Sequence, residues 1–501
     1  MSVTTQLKAT TAHSLTLPSH RDCYYGGQWA KPKSGRYVNT INPGTGESLG
    51  PVADGSAADV DAAVDAAKRA FEDWRRVLPL ERARLLKRIA AILRDHAEEL
   101  AMIDAADCGN PVKEMVSDAN VAAAQTEFFA GLVTEMKGNS IPMGPDVVNF
   151  SVREPRGVVG RIIPFNHPFM FCAGKSAAPL AAGNTVVIKP PDQAPLSSLR
   201  LFELIEGVLP PGVFNVVPGG KEVGAALAAH SDVAMIALIG SVPTGRAVMR
   251  AASDTVKPVM LELGGKNALI AYPDADPDEV AAGVIGGMNF TWCGQSCGST
   301  SRAFIHETIY DAVIARVKER IKVFKPGIPT DHATTMGAIV SKVQFDRVMS
   351  YIASAKEEGA QLIVGGGPPA DPALAKGFYI EPTVFAVTDK NRIAREEIFG
   401  PVLSVFKWSD EAKMLQTVNS VEYGLTASIW TNDLNTAHRT AMAVQSGFVW
   451  INEVSKHFLG APFGGFKQSG IGREECIEEM LAFTQEKNIH VRLKAAKAEA
   501  L

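Results

Sequence analysis

From about residue 157 the chain alternates short β-rich runs with helical stretches, and this alternation limits its fold more than any other feature. The runs are "GVVGRIIPF" (157–165), "NTVVIKP" (184–190), "VFNVVPG" (213–219) and "VAMIALIGS" (233–241), with segments such as "SSLRLFELIEGV" between them. Strands joined through helices of this length form βαβ crossovers, and crossovers build a parallel sheet with helices on its faces. A second alternation follows residue 264, with "SRAFIH", "FYIEPTVF", "VLSVFKW" and "TASIWT" as its strands. The chain has 501 residues, more than one core organises, so an α/β protein of two or three domains is expected. Ahead of the strands, Leu85, Leu86, Ile89, Ile92 and Leu93 recur three and four apart and predict an amphipathic helix over 80–106. The final "QEKNIHVRL" alternates like an exposed strand.

Charge and cysteine usage narrow the class. A formal net charge of −4 argues against nucleic acid or an anionic membrane surface as the main partner. No run of apolar residues is long enough to span a bilayer, and the polar opening "MSVTTQLKATTAHSLTLPSH" has no secretory core. The six cysteines, Cys23, Cys108, Cys172, Cys293, Cys297 and Cys476, are too scattered for a disulfide framework, so a reduced, cytoplasmic protein is expected.

Two of those cysteines fall in "WCGQSCGSTS" (292–301). A zinc site needs paired Cys-x-x-Cys elements or set histidines, which this C-x3-C lacks, and no metal is expected. Cys293 reads as a small buried hydrophobe. Cys297 is flanked by Gly294, Gly298, Ser299, Thr300 and Ser301, small residues that leave a substrate room to reach sulfur. A nucleophilic cysteine also needs a base and an oxyanion donor. Glu262 in "LELGGKN" (261–267) is either that base or an exposed carboxylate at a strand end. Asn166 in "PFNHP" (164–168) is either the donor or an amide satisfying its own turn. "GSVPTG" (240–245) is followed by Arg246 rather than Lys and is not a P-loop, and no G-x-G-x-x-G fingerprint occurs. A glycine turn opening a helix is still able to face a pyrophosphate.

"PFNHP", "VVIKPPD", "GSVPTG", "LELGGKN", "GQSCGSTSR", "EEIFGPV" and "PFGGFKQSGIGRE" occur in this order, and together they resemble the aldehyde dehydrogenase superfamily over residues 25–493. The resemblance implies a Rossmann-like NAD domain (1–139 and 157–263), an α/β catalytic domain (264–480) and a small β oligomerisation extension (140–156 and 481–501). A homodimer or homotetramer is then expected, with the extension pairing onto another subunit's sheet. Cys297 falls on the family's nucleophile, Glu262 on its general base and Asn166 on its oxyanion amide. Lys175 and Glu474 fall on positions that relay protons. The aldehyde adds to Cys297, NAD accepts the hydride, and water activated by Glu262 releases the acid from the resulting thioester.

Cofactor contacts carry over to Ile163, Pro164, Phe165 and Asn166, to Lys189 at the adenosine ribose, and to Gly220 and Gly224 beside the adenine. Gly240, Ser241 and Gly245 fall at the helix N-terminus facing the pyrophosphate, Glu397 and Phe399 at the nicotinamide ribose and ring, and Leu263 is a further cofactor contact. Asp192 replaces the glutamate common in NAD-preferring relatives; its carboxylate still repels a 2′-phosphate, while its shorter reach leaves room for NADP. In the substrate pocket, His167, Gly174, Thr291 and His457 stand where relatives often carry aromatic or apolar side chains, and His457 lies six before Phe463. These departures predict a wide, polar pocket for a bulky aldehyde, aromatic or with a polar or anionic end. The alternatives are a CoA-acylating enzyme, which the retained Glu262 disfavours, and a non-catalytic family member, which the retained Cys297 disfavours.

Overall fold

The computed structural model describes residues 15–493; the polar opening stretch through residue 14 and the end of the 481–501 segment lie outside the described residues. Two parallel-centred sheets carry the architecture. The first has eight strands, with Val158–Ile162 at its centre between Thr185–Lys189 and Val233–Ile239, and Phe214–Val216 and Val259–Glu262 beyond them. These five run parallel, as their almost wholly buried strands require when helices cover both faces. Two N-terminal strands, Cys23–Tyr25 and Gln28–Ala30, extend one edge antiparallel. The short strand Gly470–Ile471 closes the other edge against Val259–Glu262, so a segment from the expected 264–480 unit completes the first sheet.

The second sheet has seven strands, with Ala268–Ala271, Arg302–His306, Val402–Trp408 and Thr426–Trp430 among its parallel members and Gln361–Val364 as an antiparallel edge. A third, three-stranded sheet pairs Val147–Pro155 with Ser140–Pro142 on one side and with Thr484–Arg492 on the other. No described helix is long and apolar enough to cross a membrane.

The helix expected over 80–106 is two helices, Pro79–Asp95 and Ala97–Cys108. His96 breaks the run at φ −110° and ψ 20°, held by a 2.8 Å contact from its Nδ1 to Glu99 Oε2. Beyond the break the residues from Leu100 to Cys108 are all buried, so the second helix has no polar stripe and lies inside the protein.

Candidate active site

A crevice opens where strand order reverses in the first sheet. After Val158–Ile162 the chain adds two strands on one side and then returns to place Val233–Ile239 on the other. The loops leaving Val158–Ile162 and Val233–Ile239 at their C-terminal ends therefore diverge, which is where open parallel sheets bind ligands. "PFNHP" leaves the first strand and "GSVPTG" the second.

Cys297 enters this crevice from the irregular segment after the short 3-10 turn Phe290–Trp292. Cys293, at φ 55°, is buried among Met336, Ile339 and Ile398, whereas Cys297 is partly exposed. The Asn267 amide donates to the Cys297 and Ser299 carbonyls at 2.7 and 2.9 Å and fixes the loop. The Cys297 thiol lies within hydrogen-bonding reach of Glu262, whose Oε1 is buried without a protein partner. Burial and the neighbouring Glu474 push the Glu262 carboxyl well above the usual carboxylate range, and burial and Glu262 push the thiol up. Both shifts run toward the uncharged forms of the two groups.

The two glycines after Glu262 are required by close approach. A Cβ at Gly264 would overlap the Glu397 carboxylate, and one at Gly265 would lie 2.6 Å from the Cys297 carbonyl oxygen. Through this gap the Gly265 N–H donates to Glu397 Oε1 at 2.9 Å.

Two cavities meet at the sulfur. One of about 450 Å³ and one of about 510 Å³ share Asn166, Ile239, Glu262 and Cys297 as common walls. The Asn166 backbone carbonyl accepts from Asn110 Nδ2 at 2.7 Å, while its side-chain Oδ1 is buried without a partner, so the amide is uncommitted.

Behind the smaller cavity sits a buried ionic cluster. Lys175 lies 2.9 Å from Glu474 and 3.5 Å from Glu475, and Arg161 lies 3.0 Å from Glu474. Burial alone would lower the Lys175 pKa, but Glu474 and Glu475 outweigh it and hold the ammonium charged. Glu475 also takes a 3.0 Å contact from His457 Nδ1. The sequence singled out Glu474 and passed over its neighbour Glu475; adjacency to "GRE" was the available signal.

The larger cavity carries part of the expected dinucleotide set: Pro164, Phe165, Gly240, Ser241, Glu397 and Phe399. Ser241 caps the helix Val242–Ser253 by accepting from the Thr244 N–H. Phe399, at φ 57°, meets Phe165 edge-on at 5.6 Å. Lys189 ends its strand 3.8 Å from Asp192, and a Cβ at Gly220 would meet nothing within 4 Å, leaving a flat ring room there. Gly224 lies one turn into the helix that Gly220 begins. These residues fit an adenine dinucleotide: an open glycine surface, an ammonium–carboxylate pair for a ribose, a helix N-terminus and a buried carboxylate beside a ring. Three expected contacts differ. Ile163 and Leu263 point into the hydrophobic cores, and Gly245 packs against Leu263, so all three support the cavity rather than line it.

The smaller cavity corrects the pocket expectation. His167, His457 and Phe463 line it, but Gly174 and Thr291 do not. The space at Gly174 is filled by Gln125, and the Thr291 carbonyl accepts from the Gly337 N–H while the adjacent Trp292 supplies the wall. Phe171, Met170, Trp450 and Leu459 make much of the remaining lining apolar, so the pocket is less polar than the substitutions predict. Asp118, which holds His167 at 2.7 Å, and Gln125 come from the helix Val112–Gly131, whose sequence gives no sign of a site.

Comparison with known proteins agrees across the chain. The aldehyde dehydrogenase family model matches residues 29–489. An aldehyde dehydrogenase, tropH, of Talaromyces stipitatus is 53% identical over 489 residues, covering 96% of this chain and 95% of that protein. A betaine aldehyde dehydrogenase of Brucella melitensis is 41% identical over 473 residues, covering 94% and 97%. The NAD+ complex of an aldehyde dehydrogenase from Bacillus cereus superposes with a TM-score of 0.92 at 38% identity, covering 95% and 97%. The chain belongs to the aldehyde dehydrogenase family.

Proposed function

We propose that this protein oxidises a bulky, aromatic or polar aldehyde to its carboxylic acid, with NAD as the electron acceptor and Cys297 as the nucleophile. The observation that carries the reading is the placement of Cys297 and Glu262 where the two cavities meet, so that one sulfur faces both a substrate and a cofactor. An esterase would need only the first cavity.

Glu262 takes the thiol proton, and the thiolate adds to the carbonyl carbon. The oxygen that becomes negative accepts from the Asn166 amide and from the Cys297 N–H. NAD, when bound, supplies the acceptor for the two electrons that must leave the adduct. The thioester left on Cys297 is hydrolysed by a water whose proton passes to Glu262. Lys175 and Glu474 stand behind this base as a route for that proton. Retention of a carboxylate against the thiol favours water over CoA as the acyl acceptor. Lys189 and Asp192 hold the adenosine ribose, and the Asp192 carboxylate disfavours a 2′-phosphate.

The exposed three-stranded sheet supports assembly into a homodimer or homotetramer, and six free cysteines support a cytoplasmic setting. The test is formation of reduced nicotinamide from aliphatic, aromatic, amino and carboxylated aldehydes with NAD and with NADP, with and without CoA, beside Cys297→Ala. Turnover with NAD that is lost in Cys297→Ala is expected; strict dependence on CoA, or no turnover of any aldehyde, would overturn the reading.

A further inference from the structure

We propose that His167, oriented by Asp118, accepts a hydrogen bond from a ring hydroxyl of the substrate, and that this protein acts on hydroxylated aromatic aldehydes. The inference rests on the aldehyde oxidation proposed above and assigns its substrate class.

His167 is 7% exposed and stands at the start of the helix Pro168–Ala181, where Pro168 fixes the first turn. Its Nδ1 lies 2.7 Å from Asp118 Oδ2, and Asp118 is itself 5% exposed. An ionised carboxylate only accepts, so Nδ1 carries the hydrogen, and with a single ring proton Nε2 is left as an acceptor. Nε2 has no protein partner among the described residues, although both His167 and Asp118 line the cavity that holds Cys297. The imidazole cannot turn away to find one. Trp292 meets it edge-on at 4.8 Å and Phe171 at 5.5 Å, and the Asp118 bond fixes its rotation. Nε2 is open to the cavity, where a substrate donor would take the place of water.

The surroundings decide which donor. Phe171, Trp292, Trp450 and Phe463 make the walls aromatic, which suits a planar ring. A permanent charge fits poorly in either sense. The ionisable acids and bases around the cavity are Asp118, Glu262, Glu474 and Glu475 against Lys175 alone, with His167 and His457 beside them. A carboxylate-tailed aldehyde would meet this excess of acids. An ammonium would find Asp118 engaged by His167, and Glu474 and Glu475 by Lys175; Glu262 keeps one oxygen unpartnered but faces the sulfur, at the reacting end of the cavity. A neutral hydroxyl supplies the missing hydrogen without bringing a charge into the cavity.

The test compares kcat/KM for benzaldehyde, 3- and 4-hydroxybenzaldehyde, 4-carboxybenzaldehyde, betaine aldehyde and 4-aminobutanal, with NAD, in the wild type, His167→Phe, His167→Gln and Asp118→Asn. One of the hydroxybenzaldehydes is expected to exceed benzaldehyde by about tenfold, the value of one buried hydrogen bond. His167→Phe removes that preference through KM, His167→Gln restores part of it because its amide oxygen still accepts, and Asp118→Asn weakens it. Each variant is read as a ratio between two substrates on the same protein, so a general loss of folded enzyme cancels. Equal rates for hydroxylated and plain benzaldehyde, a preference unchanged in His167→Phe, or a lead for the charged aldehydes would overturn the assignment while leaving aldehyde oxidation standing. Absence of turnover on every aldehyde would instead remove the reaction on which the assignment rests.

Discussion

Gln125 occupies the space that a side chain at Gly174 would fill: a Cβ on residue 174 would overlap Gln125 Oε1. The helices Val112–Gly131 and Pro168–Ala181 pack together at this point, and Gln125 Oε1 is buried there without a hydrogen-bond partner. Two opposed effects meet at Gly174. Alanine in a helix interior is worth about 0.5–1 kcal/mol over glycine, whereas overfilling a packed contact costs about 1–3 kcal/mol. Gly174→Ala is therefore expected to destabilise the wild type but to stabilise the Gln125→Ala variant. Urea unfolding of the four proteins in the double-mutant cycle measures this, and a change of the same sign in both backgrounds would refute the packing account.

The Cys297–Glu262 pair makes a prediction about reactivity. Burial raises the thiol pKa first and the Glu262 carboxylate raises it further. Glu262→Gln removes the second cause and leaves the first, so the thiolate forms at lower pH. Alkylation of Cys297 by iodoacetamide across a pH series should shift toward acid in Glu262→Gln, while steady-state turnover falls by about a hundredfold or more because no base remains for the water step. A shift toward alkali would mean that the carboxylate does not face the sulfur.

The three-stranded sheet makes a prediction about assembly. Val148 pairs with Val491 and Phe150 with Ile489, so these four side chains share one face, and Val148 and Val491 are 44% and 40% exposed. An exposed apolar face on a sheet with open edges invites pairing with another chain. Replacing Val148 and Val491 by Lys is expected to lower the subunit count in sedimentation velocity. A wild type that sediments as a monomer would remove the assembly role of this sheet.

The sequence was most legible where function and chain are local. Asn166 follows the β-branched run at 157–165 and Cys297 stands among small residues, whereas the strand Val259–Glu262 that ends at Glu262 has only one β-branched residue and was not among the runs read from the sequence. The walls of the substrate cavity were not legible in the same way. Asp118 and Gln125 lie on a helix with an ordinary alanine-rich pattern, about 50 residues from the positions they complete, and only tertiary packing brings them to His167 and Gly174. Reading Gly174 and Thr291 as openings in the pocket failed for that reason: the space vacated by one residue was refilled by a neighbour distant in sequence. The break at His96 was hidden because the apolar spacing continues through it, while the second helix is buried on every side.

The ionic cluster behind the cavity makes stability depend on pH in a direction that can be worked out. Burial tends to raise the Glu475 pKa, but Lys175 and His457 outweigh it and take the carboxyl down to about 2. A folded-state pKa below the unfolded value means that the ionised group stabilises the protein above the ordinary carboxylate range, and that this contribution is lost as pH falls toward about 2. The difference from an ordinary glutamate amounts to about 3 kcal/mol at neutral pH. Glu479, raised to about 7 by burial, tilts the profile the other way, because its folded state favours the protonated form as pH rises. Glu475 and Glu479 share Lys175, so subtracting the Glu475→Gln profile from the wild-type profile reads residue 475 together with its effect on the rest of the cluster. Urea unfolding at neutral and at acid pH should show Glu475→Gln less stable at neutral pH by a few kcal/mol, with the gap narrowing steadily in acid. A gap that stays constant with pH would mean that Glu475 contributes through packing, and that the Lys175 and His457 contacts carry no net charge interaction.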